Sequence, residues 1–444
     1  MRYSPLPSEL FIENRQRLTA LLPPGALAIV NANDTCPTNA DGVQNTVVNS
    51  DLFHLTGVEQ EQTILVLFPD ADDPKQREIL FLREPTSENE LWEGKKLSKE
   101  EARKGTGIEN IQWISAFPRI LHALMCECRK VFLNTNEHRR AVIEVESRDA
   151  RFAAELMRKY PVHNYERLAP LLHRVRVVKT DREVAIIRKA CDITEKAFQR
   201  VLRFTKPGVM EYEIEAEFAH EFISNASRFA YPPIIAAGRN ACCLHYVANE
   251  QACRAGDLLL LDVAACHANY NSDMTRTIPV SGRFTRRQRQ VYDAVLRVLR
   301  ASIAGLVPGK KCKDWQKEAE QLTERELVDL GLLKPRDIKR QKPEAPAVKR
   351  YFMHGVGHPI GLDVHDVGIT TEPIQAGWVM TVEPAIYLPE EGFAVRLEND
   401  VLVTEDGPVD LMANIPIEAG EIEALMARRR PARKTGTKRR GSSH

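Results

Sequence analysis

No apolar run in this chain approaches the roughly 18 residues that a membrane-spanning helix needs. The opening segment, MRYSPLPSELFIENRQ, has no hydrophobic stretch of the signal-peptide kind, so a cytoplasmic location is expected. A surplus of one charge is missing too. The 62 basic and 61 acidic side chains leave a formal net charge of +1, so no global field favours nucleic acid or a membrane surface. Zinc-type cysteine spacing is also absent. Of the nine cysteines, Cys126 and Cys128 are too close for a CxxC pair, and Cys242 and Cys243 are adjacent. Reduced thiols are expected, several of them buried as small hydrophobes.

What remains is an ordinary globular composition, 43% apolar and 28% charged over 444 residues, long enough for two domains. The first part reads as mixed α/β. Helical spacing over 7–22 (Leu10, Ile12, Leu18, Leu22) precedes β-rich runs at 26–30, 63–68, 78–82 and 130–134. This part has no sharp catalytic signal and is expected to form a domain over residues 1–170.

From Thr180 onward a grammar appears twice. Thr180 and Glu183 make a capping box, an apolar face runs through Ile187, Ile193 and Val201, and Pro207-Gly208 ends the helix before a second one at 211–227. About a hundred residues later Thr285 and Gln288 cap a helix reaching Leu306, Pro308-Gly309 stops it, and another helix follows at 314–331. Two strands repeat as well: AGDLLLLD ends on Asp262 and AGWVMTVE ends on Glu383. Each precedes a second strand with a second acid, Asp273 and Glu398. The expected fold class is therefore α+β, with a mixed α/β N-terminal domain and a second domain, 171–426, of two related helix–helix–strand–strand halves. Residues 334–350 are polar and read as an exposed loop. The arginine- and lysine-rich segment 427–444 reads as a disordered, solvated tail.

Apolar strands ending on carboxylates are hard to explain as core, because an unpaired buried charge costs several kcal/mol. Paired acids from two halves imply bound cations. Oxygen-rich donors suit Mn²⁺, Co²⁺ or Mg²⁺, an added imidazole tilts the choice to transition metals, and four carboxylates fit two ions bridged by hydroxide. The stretch MHGVGHPIGLDVHD, 353–366, holds three histidines. His354 and His358 have the i, i+4 spacing of a helical HExxH site, but Gly355 replaces its glutamate, and Gly357, Pro359 and Gly361 oppose a helix. A glycine-rich loop leading into a short strand at LDVH fits better.

These segments resemble aminopeptidase P, the Xaa-Pro aminopeptidase of the pita-bread metallopeptidase superfamily, to which prolidase and methionine aminopeptidase also belong. The resemblance rests on LLLLDVAACHANYNSDMTRT, LHYVAN, MHGVGHPIGLDVHDVG, TVEPAIY and VRLEND in the family order, with NSDLFHLTG and EIEALM at either end. It implies a dinuclear site held by Asp262, Asp273, His358, Glu383 and Glu398, usually loaded with Mn²⁺, with Co²⁺, Zn²⁺ or Fe²⁺ as alternatives. It implies metal-bridging hydroxide attack on the first peptide bond of substrates with proline second. Glu383 would move the proton, His365 would polarise the carbonyl, and His354 would join them as a catalytic residue. His245, His354, His365 and Arg396 would meet the substrate, and Trp92 matches a tryptophan that can reach a neighbouring subunit's site. A homodimer or homotetramer is implied.

Departures and rivals accompany the match. Ala264 and Ala385 stand where the family often has glycine, and VQNTVV replaces an aromatic and arginine-bearing run. Prolidase, restricted to Xaa-Pro dipeptides, shares the active-site residues. A non-catalytic binding protein on the same fold is disfavoured because all five metal positions are filled. His267 is expected at the surface of a turn, and Asp363 and Asp366 are expected in capping or solvated roles, with hydrogen bonding to an imidazole as the alternative.

Overall fold

Six consecutive buried residues, Ala26–Asn31, form strand β1 of an N-terminal sheet in a computed structural model. The described residues are 3–44, 47–142, 144–342, 344–369 and 371–428, so the expected tail lies outside them from 429 onward. Strands β2 (Ile64–Leu67), β3 (Glu78–Leu82), β4 (Asn110–Trp113), β5 (Lys130–Leu133) and β6 (Tyr165–Arg167) complete the order β4-β3-β2-β1-β5-β6. Both faces are covered. Ala28, Val30, Leu65 and Leu67 pack in one core, and Leu27, Ile29, Ile64 and Val66 pack in another. This is why the central strands read as continuous apolar runs. β4 and β6 lie at the edges, where NIQW and YER need no such run, and the sequence pattern does not reveal them. The first helix spans Ser8–Thr19, shorter than its apolar spacing suggests.

Beyond residue 180 both expected capping boxes form, at the head of helices Asp181–Phe204 and Arg286–Ala304. Helices Glu211–Ser224 and Cys312–Asp329 follow them. The strands are β7 (Arg228–Phe229), β8 (Ile234–Ala237), β9 (Leu258–Asp262), β10 (Ala265–His267), β11 (Tyr270–Asn271) and β12 (Thr275–Pro279) in one half. The other half has β13 (Val379–Val382), β14 (Ala385–Leu388), β15 (Phe393–Arg396), β16 (Asn399–Thr404) and β17 (Gly407–Asp410).

Both halves follow one plan that the sequence pattern shows only in outline. A buried strand ends on or just before an acid, a two-stranded hairpin intervenes, and a second acid precedes an antiparallel partner strand. In the first half this is β9, the β10–β11 hairpin and β12, with Asp262 opposite Thr275. In the second it is β13, the β14–β15 hairpin and β16, with Val382 opposite Asn399. The β10–β11 turn places Ala268 and Asn269 at φ 49° and 66°, as a two-residue I′ hairpin requires. His267 ends β10 half-buried with Nδ1 2.9 Å from the Ser227 hydroxyl, rather than sitting in the turn.

The halves are stitched at their second acids. The Glu398 amide donates to the Thr275 carbonyl at 3.0 Å, and buried Arg276 donates Nη1 to the Glu398 carbonyl at 2.7 Å. Three further expectations are corrected. LDVH forms bends rather than a strand, because its carbonyls are taken up locally: Leu362 O accepts from the Asn271 side-chain amide at 2.9 Å and Asp363 O from the Gly361 amide at 3.1 Å. Residues 334–350 are not wholly loop, since Pro335–Lys339 and Ala347–Arg350 are helical turns and Val348 is buried. Asp366 is buried rather than solvated, Asp363 keeps about half of its side chain exposed, and among the described residues neither bonds an imidazole; both are held by Arg176. Arg176 bonds Asp51 at 2.8 Å, Asp363 at 2.7 Å and Asp366 at 2.5 Å, while Lys179 meets Asp366 at 3.0 Å. Burial alone would push Asp366 up, but the Lys179 and Arg176 charges hold it below the usual carboxylate range.

Candidate metal centre and active site

Strand ends from both halves converge on one point. Asp273, His358 and Glu398 each offer a ligand atom, and these atoms lie within 4.8 Å of one another. Glu383, directly after β13, adds Oε1 3.7 Å from His358 Nε2, and Asp273 Oδ2 lies 3.6 Å from the same nitrogen. Asp262, at the end of β9, meets Arg396 Nη2 at 2.5 Å, and its Oδ1 is buried without a hydrogen-bond partner.

The loop bearing His358 is pinned by backbone contacts. The His358 amide donates to Thr381 Oγ1 at 3.0 Å, and its carbonyl accepts from the Thr381 amide at 2.8 Å. A Cβ on Gly357 would collide with the Thr381 carbonyl oxygen, so glycine there permits the close approach. His358 Nδ1 lies 3.0 Å from the Pro359 carbonyl. A carbonyl only accepts, so Nδ1 carries the proton and the Nε2 lone pair faces the carboxylates.

Most of these acids are held by fixed donors. Tyr231 donates to Asp273 Oδ1 at 2.6 Å, and Thr275 donates to Glu398 Oε2 at 2.6 Å. Thr275 Oγ1 also accepts from Arg396 Nε at 3.2 Å, so Arg396 and Glu398 share a face although β15 ends between them. Among the described residues Glu383 has no such donor: His354 Nδ1 lies 3.5 Å away, and that nitrogen is already engaged with the Gly355 carbonyl at 2.8 Å. Tyr387 ties the second histidine in, its hydroxyl 2.9 Å from His354 Nε2 and 2.8 Å from Arg396 Nη1.

Electrostatics match a cation site. Burial, then the neighbouring carboxylates, push Asp273 and Glu383 well above the ordinary range, and burial with Asp262 nearby pushes Glu398 up to about 8. Burial first, and nearby positive groups next, push His354 and His358 down to about 3 and His365 to about 4. The imidazoles are thus neutral donors or ligands at pH 7. Crowded acids, a neutral imidazole with a free lone pair and an orphaned Asp262 oxygen fit divalent cations.

The other expected residues separate into two groups. His365 packs edge-on to His358, with ring centroids 4.4 Å apart. His245 lies in the turn after Gly238–Cys242, close enough for its charge to bear on both His354 and His365. Trp92 is not brought to this point. It is 79% exposed on helix Ser87–Glu93 of the N-terminal part.

A cavity of about 440 Å³ opens at His358 and His365 and is lined on its far side by Glu137, Arg139 and Arg140 from the loop after β5. The N-terminal part therefore contributes to the site, which its sequence does not announce. Tyr231, Thr275, Thr381 and Tyr387 are also missed by sequence reasoning. They are single hydroxyls with no spacing signal, although Thr275 and Tyr387 sit two and four residues from expected ligands.

Residues 185–405 match the model of metallopeptidase family M24, and residues 11–132 match that of the aminopeptidase P N-terminal domain. The Xaa-Pro aminopeptidase of Escherichia coli is 34% identical, over 94% of this chain and 97% of that protein. Human Xaa-Pro aminopeptidase 3 is 32% identical, over 85% of this chain and 76% of its own. Among solved structures, Pseudomonas aeruginosa aminopeptidase PepP superposes with a TM-score of 0.86 at 31% identity, covering 95% of this chain and 98% of that one. Zinc-substituted Escherichia coli aminopeptidase P in complex with product gives 0.85 at 31% identity, covering 96% and 100%.

Proposed function

The chain belongs to metallopeptidase family M24, within its aminopeptidase P group, and from that premise we propose that it removes the N-terminal residue from peptides with proline second. It is a metal-dependent hydrolase. The observation that carries the reading is the meeting of Asp273, Glu398 and the free Nε2 of His358 within 4.8 Å. Asp262, Asp273, His358, Glu383 and Glu398 are the proposed ligands of two divalent ions of the Mn²⁺ type. When bound, such ions make a water nucleophilic at neutral pH and polarise a carbonyl.

The chain's own groups do the rest. Glu383, held by no fixed donor, takes the proton from the attacking water and returns it to the leaving proline nitrogen. His365, neutral at pH 7, donates its N–H to the carbonyl oxygen as negative charge develops there. The free α-amine end of the substrate lies at Asp262, which restricts cleavage to N-termini. His354 and His245 flank the proline ring, and Tyr387 with Arg396 keeps the His354 ring in place. We further propose the domain division 1–170 and 171–426, assembly as a homodimer or homotetramer with Trp92 reaching a neighbouring copy, and a cytoplasmic location. Among the described residues no helix is long and apolar enough to cross a membrane.

Metal analysis together with turnover of an Xaa-Pro-Xaa tripeptide tests the proposal. Metal-dependent release of the first residue is the expected result. Neither bound metal nor cleavage would refute it, and turnover of Xaa-Pro dipeptides alone would make the chain a prolidase.

A further inference from the structure

The cavity beyond His365 carries charge that the proposed chemistry does not use. Arg139 and Arg140 project from the loop after β5, and Lys313 lies in the first turn of helix Cys312–Asp329; all three line the cavity and are exposed. Two acids line it as well, but both are already engaged elsewhere. Glu137 is gripped by Arg167 through Nε at 2.9 and 3.0 Å, and Asp366 by Arg176 and Lys179. Among the described residues, no carboxylate lies within 4.0 Å of Arg139, Arg140 or Lys313, whereas many of the chain's other arginines have one. The remaining ionisable lining groups are His138, His173, His358, His365 and Cys312, none of them a carboxylate. The cavity wall is left with uncompensated positive charge.

The loop is also pre-positioned. Asn134, just past β5, donates to Asp51 at 2.8 Å, and Asp51 belongs to the same buried Arg176 network that holds Asp363 and Asp366 beside His365. The Glu137–Arg167 pair fixes the next turn of the loop, and the Arg140 amide donates to His138 Nδ1 at 3.2 Å. Arg140 lines the same cavity as His358 and His365, beside the proposed chemistry. Lys313 meets the cavity where Lys311 supplies no side-chain cap, so the positive end of an 18-residue helix dipole adds to the wall.

We propose that Arg139, Arg140 and Lys313 form a carboxylate-binding subsite for the part of the substrate downstream of proline. This deepens the proposed function and rests on it. With the scissile carbonyl held at His365, a cavity of about 440 Å³ is in the size range of pockets that hold small ligands, here the next residues of a peptide. The carboxylate is the free C-terminus of a short peptide or an acidic side chain beyond the proline. Either accepts paired hydrogen bonds from a guanidinium. The substrates favoured are thus short or acidic peptides rather than long, neutral or basic ones.

The test uses the full-length, metal-loaded protein and four peptides: an Xaa-Pro-Xaa tripeptide as free acid, the same as C-terminal amide, and the amide with Glu or Lys in third position. The free acid should exceed the amide in kcat/KM by about ten-fold, the gain of one charged hydrogen bond. That result assigns the terminal carboxylate. A preference for the Glu amide over the Lys amide, with acid and plain amide equal, assigns an acidic side chain. In Arg139→Ala/Arg140→Ala, and separately in Lys313→Ala, whichever ratio the wild type shows should shrink toward one. Ionic strength near 1 M should do the same, since screening then acts within about 3 Å. Brisk cleavage of all four peptides at equal rates, or ratios that survive in both variants, would overturn the subsite and leave the proposed function standing. No cleavage of any of them would overturn both.

Discussion

The two halves of the second domain present their acids on the same plan and restrain them differently. In the first half Asp262 is bonded to Arg396 and Asp273 to Tyr231. In the second half Glu398 is bonded to Thr275, but Glu383, among the described residues, meets only histidine nitrogens, at 3.5 and 3.7 Å, and its side chain keeps 18% of its surface exposed. Two of the three restraints cross between halves, since Arg396 comes from β15 and Thr275 from β12. The comparison suggests a division of labour. In the proposed mechanism the three restrained acids serve as rigid metal ligands, and the fourth carries the proton. A carboxylate with two strong fixed donors would have its basicity depressed, which would defeat proton transfer.

Breaking the proposed difference should cost most at Glu383. Glu383→Gln should lower kcat on an Xaa-Pro-Xaa tripeptide by about 10²–10⁴-fold while the protein stays folded. Asp273→Asn, by contrast, should show its defect first as weaker metal retention. Near-normal kcat in Glu383→Gln would erase the distinction between the halves.

The cross-half restraint is the next target. Thr275→Val removes both the donor to Glu398 and the acceptor for Arg396. Metal affinity should fall by roughly 10–100-fold, as for other groups that orient metal ligands, and a metal titration followed by activity would read it.

A third prediction concerns the apo protein. Burial and mutual repulsion raise Asp273 and Glu383 well above the ordinary range and Glu398 to about 8. A carboxyl whose folded pKa is raised stabilises the fold fully below its unfolded value, about 4, and loses that contribution as pH climbs to the folded value. The chelated protein should therefore lose thermal stability between about pH 4 and pH 8, and added Mn²⁺ should restore it most at the upper end. A flat apo melting curve across that window would contradict the proposed crowding of acids.

The smallest effects are expected at Ala264 and Ala385, the positions where the resembled family often has glycine. Both are buried, and Ala385 opens β14 opposite Arg396. Replacing either by Gly should cost only about 0.5–1 kcal/mol in denaturant titration, the usual penalty for glycine in extended backbone. A larger loss at one position would show that its half depends on that methyl for packing.

Much of this arrangement is legible in the linear chain. The capping boxes at Thr180 and Thr285, the runs LLLLD and WVMTVE, and the GVGHP loop are local patterns. Each follows from short-range physics: hydroxyls satisfying free amides, apolar residues extending to a terminal charge, and glycines refusing a helix. These patterns, with the family resemblance, name the acids and His358 as ligand candidates.

Which donor restrains which acid is another matter. Tyr231 reaches Asp273 from 42 residues away, Thr275 reaches Glu398 from 123, and Arg396 reaches Asp262 from 134. The break at Leu397, the hairpins between paired acids and the burial of Asp366 beside Arg176 likewise depend on segments far apart in the chain. So does the approach of Arg139 and Arg140 to His365, from a domain whose own pattern signals only a buried sheet. Hydrogen bonds and charge–charge contacts act over a few ångströms of space and are indifferent to sequence distance. The chain therefore specifies its chemical groups locally, while the packing of its two halves and its N-terminal sheet selects which of them are restrained, which are free, and what the substrate meets beyond the metal.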